Sequence, residues 1–231
     1  MLFIKKMLIM LKKVVDYICT KEKNEVKILV DKFCMFLTNR IRKEMPEVDD
    51  ERAEIIMYGL QNIIGEIPKG IIILIIAYFL GIFKLTLMSI LIVAPYRCFS
   101  GGVHMKTHIG CIIYTLLLYS GSALLGKYII LAGTIKYIVI SLVWGFCMIM
   151  IKLYAPADTE NVPILQKKER KQKQIFSYII LTIEFIIAIF INNSIIAGII
   201  IFGDFIQTLT ITRFAYKITN NKYGHEVYAN I

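Results

Sequence analysis

The sequence predicts an all-α, polytopic membrane protein with about six transmembrane helices, preceded by amphipathic interfacial or cytoplasmic helices. Hydrophobic residues make up 57% of the 231 residues, and the mean hydropathy is +0.66, which is high for a soluble domain. Apolar runs recur between residues 69 and 212, and most approach the roughly 20 residues that cross a hydrocarbon core. The lipid bilayer is therefore the first expected partner.

Amphipathic segments are expected before the first crossing. In the opening stretch MLFIKKMLIMLKKVVDYIC, apolar residues recur at helical spacing and lysines interrupt the run, which favours an uncleaved helix on an anionic membrane surface. Residues 20–52 carry mixed charges around apolar positions with a helical period. Asp49 or Asp50 can cap the helix that follows.

Pro68 is expected to restart the chain after that helix. The predicted organisation has an N-terminal region of amphipathic and cytoplasmic helices, a transmembrane catalytic domain and a cytoplasmic tail: 1–67, 68–213 and 214–231. Six crossings are predicted within the second region, at roughly 69–83, 85–96, 109–126, 134–153, 175–191 and 194–212. The second has only about 12 apolar residues, so it is predicted to be a short, tilted or re-entrant helix.

Basic residues indicate the topology. The loop 155–174 contains five of them, whereas the turns expected on the other side contain only Lys84, Lys127 and Lys136. The positive-inside rule places the basic loop in the cytoplasm, and counting crossings places both termini and the segment 97–108 there as well. The net charge of +10 is thus concentrated beside the membrane, and no nucleic-acid partner is expected.

The stretch FSGGVHMKTHIGC, residues 99–111, contains the candidate site. Cys111 begins a predicted helix, where partial positive charge favours a thiolate nucleophile. His104 would lie about 10 Å from it in a continuous helix, too far for a hydrogen bond. If they are partners, residues 101–107 are not all helical, and Gly101 with Gly102 permits the bend. Thr107 is then a plausible helix cap.

Other interpretations of these residues stay open on the sequence alone. His108 lies one helical turn before Cys111, so local geometry favours it as the base. His104, His108 and Cys111 also form a three-ligand set for a metal, but no carboxylate is adjacent and no metal or other cofactor is expected. The five cysteines are scattered without a CxxC pair, so reduced thiols are expected. All of these residues are equally compatible with an interfacial position without chemistry.

Two glutamates belong to apolar surroundings. Glu66 lies at the predicted interface, where it can reach water, and Glu184 lies inside a predicted crossing. An intramembrane carboxylate needs a partner or a wet cavity, so Glu184 is expected to pair inside the bundle. A peptide exporter or other transporter without proteolysis, with Glu184 and the histidines along its path, is the main alternative function.

Two motifs carry a family resemblance. YRCFSGGVHMKTHIGC and YAPADTENVPILQKKERKQK resemble the arginine, glycine-pair, histidine and cysteine signature and the basic loop of the AgrB family. These are the accessory gene regulator membrane endopeptidases of Gram-positive quorum sensing. The resemblance extends over nearly the whole chain, including its length and hydrophobic layout.

The resemblance implies a cysteine endopeptidase that removes the C-terminal tail of an AgrD-like propeptide through a thioester. It implies that Cys111 is the nucleophile and His104 the general base. Arg97 and Gly102 match the family motif, and Arg97 is a candidate for substrate or oxyanion support. Asp158 is a candidate third catalytic member. The implied location is the plasma membrane, with the site facing the cytoplasm, and a homodimer is a further expectation.

Overall fold

Every regular element in the part of the chain that the structure describes is a helix. The computed structural model describes residues 31–228, except 46, 106, 107, 161 and 162. The predicted opening helix, Cys19 and the proposed cap Thr107 lie outside these residues. The described helices are α1 over residues 31–44, α2 Asp50–Phe79, α3 Phe83–Ser100, α4 His108–Tyr128, α5 Gly133–Tyr154, α6 Lys167–Phe190, α7 Ser194–Thr210, α8 Arg213–Ile218 and α9 Gly224–Tyr228.

The chain divides into two compact units within α2, between Ile73 and Leu74. In the first unit, Asp49 Oδ1 accepts a hydrogen bond of 2.8 Å from the Arg52 N–H, which confirms the predicted cap. The predicted restart at Pro68 is wrong, because α2 runs through this residue. A proline removes one helical hydrogen bond, and an otherwise apolar helix tolerates that loss. The predicted boundary after residue 67 thus falls inside a helix.

Four helices are long and apolar enough to cross a membrane: α3, the Gly110–Tyr128 part of α4, α5 and α6. Two shorter apolar helices accompany them, Ile67–Phe79 and α7. The prediction of a short crossing at 85–96 is corrected, since α3 has 18 residues. These observations identify a membrane protein.

Polar side chains inside α3 pair with hydroxyl groups on α4. Thr86 and Ser89 are fully buried, and their hydroxyls lie 3.3 Å and 2.7 Å from those of Ser120 and Ser122 on α4. Hydroxyl pairs of this kind hold membrane helices together. The predicted bounds 85–96 lie between Lys84 and Arg97, and α3 extends past both of these charged residues.

α7 lies at the centre of the second unit and contacts α3, α4, α5 and α6. It packs against α4 through glycine: a Cβ on Gly198 would lie 2.8 Å from Gly126 Cα. At one end of the bundle, Lys136 Nζ donates to the backbone oxygens of Ile189 and Ile191, at 3.3 Å and 2.8 Å. This ammonium satisfies carbonyls at the end of α6.

The basic segment is mostly helical, which corrects the predicted loop 155–174. The loop ends at residue 166, and the five basic residues belong to the first turns of α6: Lys167, Lys168, Arg170, Lys171 and Lys173. Lysine, arginine, glutamine and glutamate favour helices, and Lys173 forms a 3.0 Å ion pair with Glu169 one turn away. The membrane helix α6 therefore extends through its basic flank.

Candidate active site

The candidate site is built on a short segment between α3 and α4, residues 101–105, which we call the glycine loop. It is not helical, and α4 begins only at His108, so the predicted bend is confirmed for these residues. Gly101 ends α3 with φ +72° and donates its N–H to Arg97 O at 2.9 Å. The backbone thus turns sharply before His104.

Backbone hydrogen bonds fix the glycine loop against two other parts of the second unit. The Ala157 N–H donates to Ser100 O at 2.8 Å, and the Gly102 N–H donates to Ala157 O at 2.9 Å. The Val103 N–H donates to Thr210 O at 3.2 Å. The ends of α3, α5 and α7 therefore meet at the same end of the bundle.

Both glycines are required by close approach as well as by conformation. A Cβ on Gly101 would lie 2.3 Å from Ala157 O, and one on Gly102 would lie 2.5 Å from Thr210 Oγ1. Their φ angles of +72° and +141° are also those that side chains disfavour. Because the Gly102 N–H is engaged by Ala157, substrate or oxyanion support by Gly102 stays a prediction that requires this bond to open.

Arg97 joins α3 to three other segments. Its Nη1 donates to Tyr114 Oη on α4 at 3.1 Å and to Gln207 Oε1 on α7 at 2.8 Å. Its Nη2 donates to Val103 O in the glycine loop at 3.1 Å. The guanidinium also lies 5.2 Å above the Tyr114 ring. Arg97 therefore holds the loop in place.

If the protein has the peptidase activity that the resemblance implies, replacing Arg97 by lysine is expected to lower the cleavage rate by about tenfold to a hundredfold. An ammonium keeps the positive charge but lacks the planar fork that reaches Tyr114, Gln207 and Val103 together, and each charged hydrogen bond contributes about 1.5–3 kcal/mol. The check is kcat and KM with a labelled peptide. An unchanged kcat would show that Arg97 is only a charged topological anchor.

Cys111 and His104 lie on either side of the α4 start. Cys111 is half-buried in the first turn of α4, and its carbonyl accepts a 2.7 Å hydrogen bond from Thr115 Oγ1. The His104 side chain is exposed, and its carbonyl accepts a 2.8 Å hydrogen bond from Asn221 Nδ2. His108 is the first residue of α4. Because the chain bends between them, Cys111 and His104 lie on separate backbone segments, as their predicted pairing requires.

Asp158 is buried beside a histidine that the sequence argument did not consider. Its Oδ1 lies 2.6 Å from His225 Nδ1 and 3.3 Å from Arg170 Nη1. Its Oδ2 accepts from the backbone N–H groups of Ile164 and His225, at 3.0 Å and 2.8 Å. Burial alone would raise the pKa of Asp158, but these hydrogen bonds and the two neighbouring charges hold it below its ordinary value.

The role of Asp158 as third member of a triad with His104 stays a prediction, because its carboxylate is already engaged by His225 and Arg170. The available signal for His225 was weak: it is one of only three histidines in the chain and lies in the predicted tail. Its partner is 67 residues away in sequence, so no local pattern linked them.

Glu184 has the intramembrane partner that the sequence required. Its carboxyl adjoins that of Asp204 on α7, and the two groups interact. Asp204 is fully buried, and among the described residues both of its oxygens lack a hydrogen-bond partner outside this interaction. Glu184 and Asp204 therefore form a buried acidic pair between α6 and α7.

The described residues form neither a disulfide nor a metal-ligand cluster at this site. The four described cysteines are free, and Cys34 and Cys147 are buried, as small apolar residues in helices often are. No three histidine, cysteine or carboxylate side chains of the described residues come together as a metal site. The His104, His108 and Cys111 set stays an alternative hypothesis, since the His108 side chain is not among those described.

Comparisons with known proteins agree with the motifs. The family described as Accessory gene regulator B matches residues 34–211. Accessory gene regulator protein B of Staphylococcus aureus strain MRSA252 is 30% identical over 188 residues, which cover 81% of this chain and 95% of that protein. A putative AgrB-like protein of Listeria monocytogenes is 27% identical, with 79% and 88% covered. One from Clostridium acetobutylicum is 26% identical, with 71% and 77% covered.

No solved structure matches the chain significantly. The matched segment contains α3 to α7 and thus the glycine loop, Arg97 and Cys111. On the extent of this match, the chain belongs to the accessory gene regulator B (AgrB) family.

Proposed function

We propose that this protein is a membrane cysteine endopeptidase that removes the C-terminal tail of an AgrD-like propeptide through a thioester acyl-enzyme. This step enables formation of a thiolactone or lactone autoinducing peptide. Family membership supports a role in quorum-sensing autoinducer processing. The observation that carries the proposal is the bend of the glycine loop, which backbone hydrogen bonds hold in place. Because of this bend, His104 lies outside α4, the helix that contains Cys111.

The proposed reaction begins with proton transfer from Cys111 Sγ to the imidazole of His104. The sulfur attacks the carbonyl carbon of the scissile peptide bond, and the C–N bond then breaks. His104 returns the proton to the leaving amine, so the tail departs with a free amino group and the remainder stays on Cys111 as a thioester. A thiol or hydroxyl within that peptide attacks the thioester, closes the ring and regenerates the Cys111 thiol.

Two features support stabilisation of the charge that develops in these steps. The first turn of α4 presents the positive end of the helix dipole near Cys111. The Arg97 guanidinium is held nearby by Tyr114 and Gln207, and positive charge fixed before the reaction lowers the barrier without reorganisation. Arg97 therefore has two roles in the proposal: it positions the loop and acts on the oxyanion.

We propose that the site faces the cytoplasm at the plasma membrane, with both termini on that side. The basic first turns of α6 lie at the same end as the glycine loop, since Arg170 contacts Asp158 and Asp158 follows the Ala157 bridge. Basic flanks of membrane helices favour the cytoplasmic side. A membrane-lying propeptide would then meet Cys111 without entering the bilayer core.

The direct test is acyl-enzyme formation in lipid nanodiscs with a synthetic AgrD-like propeptide, followed by intact mass spectrometry. The parent protein should gain the mass of the tail-free peptide, and Cys111→Ala should not. His104→Ala should lower the rate by about a hundredfold or more, since a positioned base contributes about 10²–10⁴. His108→Ala is the matched control and should stay near the parent rate. Loss with His108→Ala alone would transfer the base role to His108.

A peptide exporter without proteolysis is the second candidate, and the buried Glu184 and Asp204 pair favours it. Ionisable groups inside membrane bundles often belong to transport paths. The same measurement separates the two functions. A Cys111→Ser protein that still releases the tail at the parent rate would contradict the cysteine peptidase. A parent protein that forms no acyl-enzyme and releases no tail would leave the exporter.

A further inference from the structure

A cavity of about 360 Å³ lies among the C-terminal residues, between α8 and α9. Its size is within the range of ~300–1,000 Å³ that is usual for ligand pockets. Three cationic side chains contribute to its lining, together with two tyrosines and an asparagine: Arg213, Lys217, Lys222, Tyr216, Tyr223 and Asn221. The cavity belongs to the segment that the sequence predicted as a tail.

The cavity has unbalanced positive charge. Its carboxylate, Glu226, lies 2.5 Å from Arg213 Nη2 and is neutralised by it. Lys217 and Lys222 form no ion pair within the described part of the chain. Two ammonium groups therefore remain for a ligand, and the charge complementary to them is negative.

The wall of the cavity is preformed. The rings of Tyr216 and Tyr223 stack at 4.0 Å with an angle of 3° between their planes. Their hydroxyls donate to the backbone oxygens of Asp158 and Ile211, at 2.9 Å and 2.8 Å. Because these bonds tie the aromatic wall to the bundle, a ligand would not have to order it on binding.

One lining residue connects the cavity to the candidate active site. Asn221 Nδ2 donates to the carbonyl of His104 at 2.8 Å. A ligand in the cavity thus lies one side chain away from the loop that carries the proposed base. A peptide lying across Cys111 and His104 could place a neighbouring residue here.

The link from Asn221 to the His104 carbonyl favours a peptide over a lipid headgroup as the ligand, because it places the cavity beside the loop that carries the proposed base. Phe214 and Ile218 are 74% and 67% exposed and lie four residues apart, so they form one apolar row on the helix. Arg213 and Lys217 form a separate row that lines the cavity. The apolar row is suited to the membrane interface, and the basic row lies about a quarter turn from it around the helix.

We propose that this cavity is a subsite for an anionic segment of the peptide substrate, in which carboxylate side chains bind Lys217 and Lys222 beside the scissile bond. The inference rests on the proposed peptidase function, because it assumes a peptide bound at Cys111. The charge of a peptide segment beside the scissile bond would then decide the affinity of the protein for its substrate. α8 and α9 would thus take part in substrate selection.

The test measures binding of fluorescein-labelled triglutamate to Cys111→Ala protein in phosphatidylcholine nanodiscs by fluorescence anisotropy. Triglutamate should bind and triglutamine should not. The Lys217→Gln, Lys222→Gln double variant should bind about tenfold more weakly, a change of about 1.4 kcal/mol. The matched control is Lys168→Gln, Lys171→Gln, which removes the same charge from α6 outside the cavity and should stay within about twofold. Added salt should weaken parent binding.

Three results would overturn the proposal. Equal weakening by both double variants would show diffuse attraction to a basic surface. Equal triglutamate binding by the parent and the Lys217→Gln, Lys222→Gln variant, with weaker binding of soluble glycerol phosphate by the variant alone, would assign the cavity to lipid headgroups. Absence of triglutamate binding, in protein with an unchanged melting temperature, would remove the subsite. Since Cys111→Ala protein performs no chemistry, acyl-enzyme formation by the parent without triglutamate binding would reject only the subsite. Triglutamate binding without acyl-enzyme formation by the parent would reject the peptidase and leave only an anion-binding cavity.

Discussion

Gly101→Ala protein should lose at least about a hundredfold of its acyl-enzyme formation rate while its helical bundle stays folded. The new Cβ would lie 2.3 Å from Ala157 O, and a backbone oxygen that takes part in the loop hydrogen bonds cannot move aside alone. The glycine loop must shift, and a displacement of about 1 Å in a catalytic group can lower a rate by about 10². The measurement is the thioester formation rate by mass spectrometry, with helicity from circular dichroism.

The matched control for this variant is Gly81→Ala. Gly81 has φ +68°, close to the +72° of Gly101, but its Cβ would meet nothing within 4 Å. It therefore shares the positive φ that side chains disfavour without the collision. We expect a small loss of stability and near-parent activity. Gly101→Ala protein that retained a third of the parent rate would show that the approach to Ala157 is not required.

Gly126→Ala should cause the largest loss of stability in the membrane bundle. Its Cβ would lie 2.7 Å from Ile199 N and 2.8 Å from Ile195 O, both backbone atoms of α7. The two helices would have to separate, and overpacking of this kind costs about 1–3 kcal/mol, occasionally more. The check is the thermal unfolding midpoint of the detergent-solubilised protein, together with the acyl-enzyme assay, because α4 carries Cys111.

Gly121→Ala is the control for this second variant. Gly121 also lies in α4, and a Cβ there would meet nothing within 4 Å. Alanine is the better helix former by about 1 kcal/mol, so the melting temperature should stay the same or rise. Similar destabilisation by both variants would contradict a specific glycine contact between α4 and α7.

The structural features that could be predicted from the sequence are those that depend on neighbouring residues. Apolar runs predicted the membrane helices, Asp49 was identified as a cap, and the glycine pair indicated a bend before His104. Each signal lies within a few residues of the feature it predicts. The predicted break at Pro68 and the predicted late start of α6 are wrong for the same reason. Sequence rules treat proline and charged residues as ends of a membrane helix, whereas the length of these helices is set by the packing around them.

The surroundings of the candidate site required contacts between distant residues. The sequence offered Arg97 as an anchor or an oxyanion donor, but its partner Gln207 is 110 residues away. The Asp158 carboxylate meets His225 across 67 residues, and Ser89 pairs with Ser122 in another helix. No periodicity or spacing within one segment indicates these pairs. The motif therefore predicted the candidate catalytic residues, but not the side chains that position them.

The hydrogen bonds that fix the glycine loop also order events during synthesis of the chain. Cys111 and His104 are translated early, but Thr210 and Asn221, which hold Val103 and His104, come near the end. Membrane domains are made from the N-terminus onward, so the loop cannot reach its described shape until α7 and the C-terminal segment have been inserted. A nascent chain would therefore carry the proposed nucleophile in an inactive setting, and the proposed proteolytic activity would arise only after Asn221 has been translated.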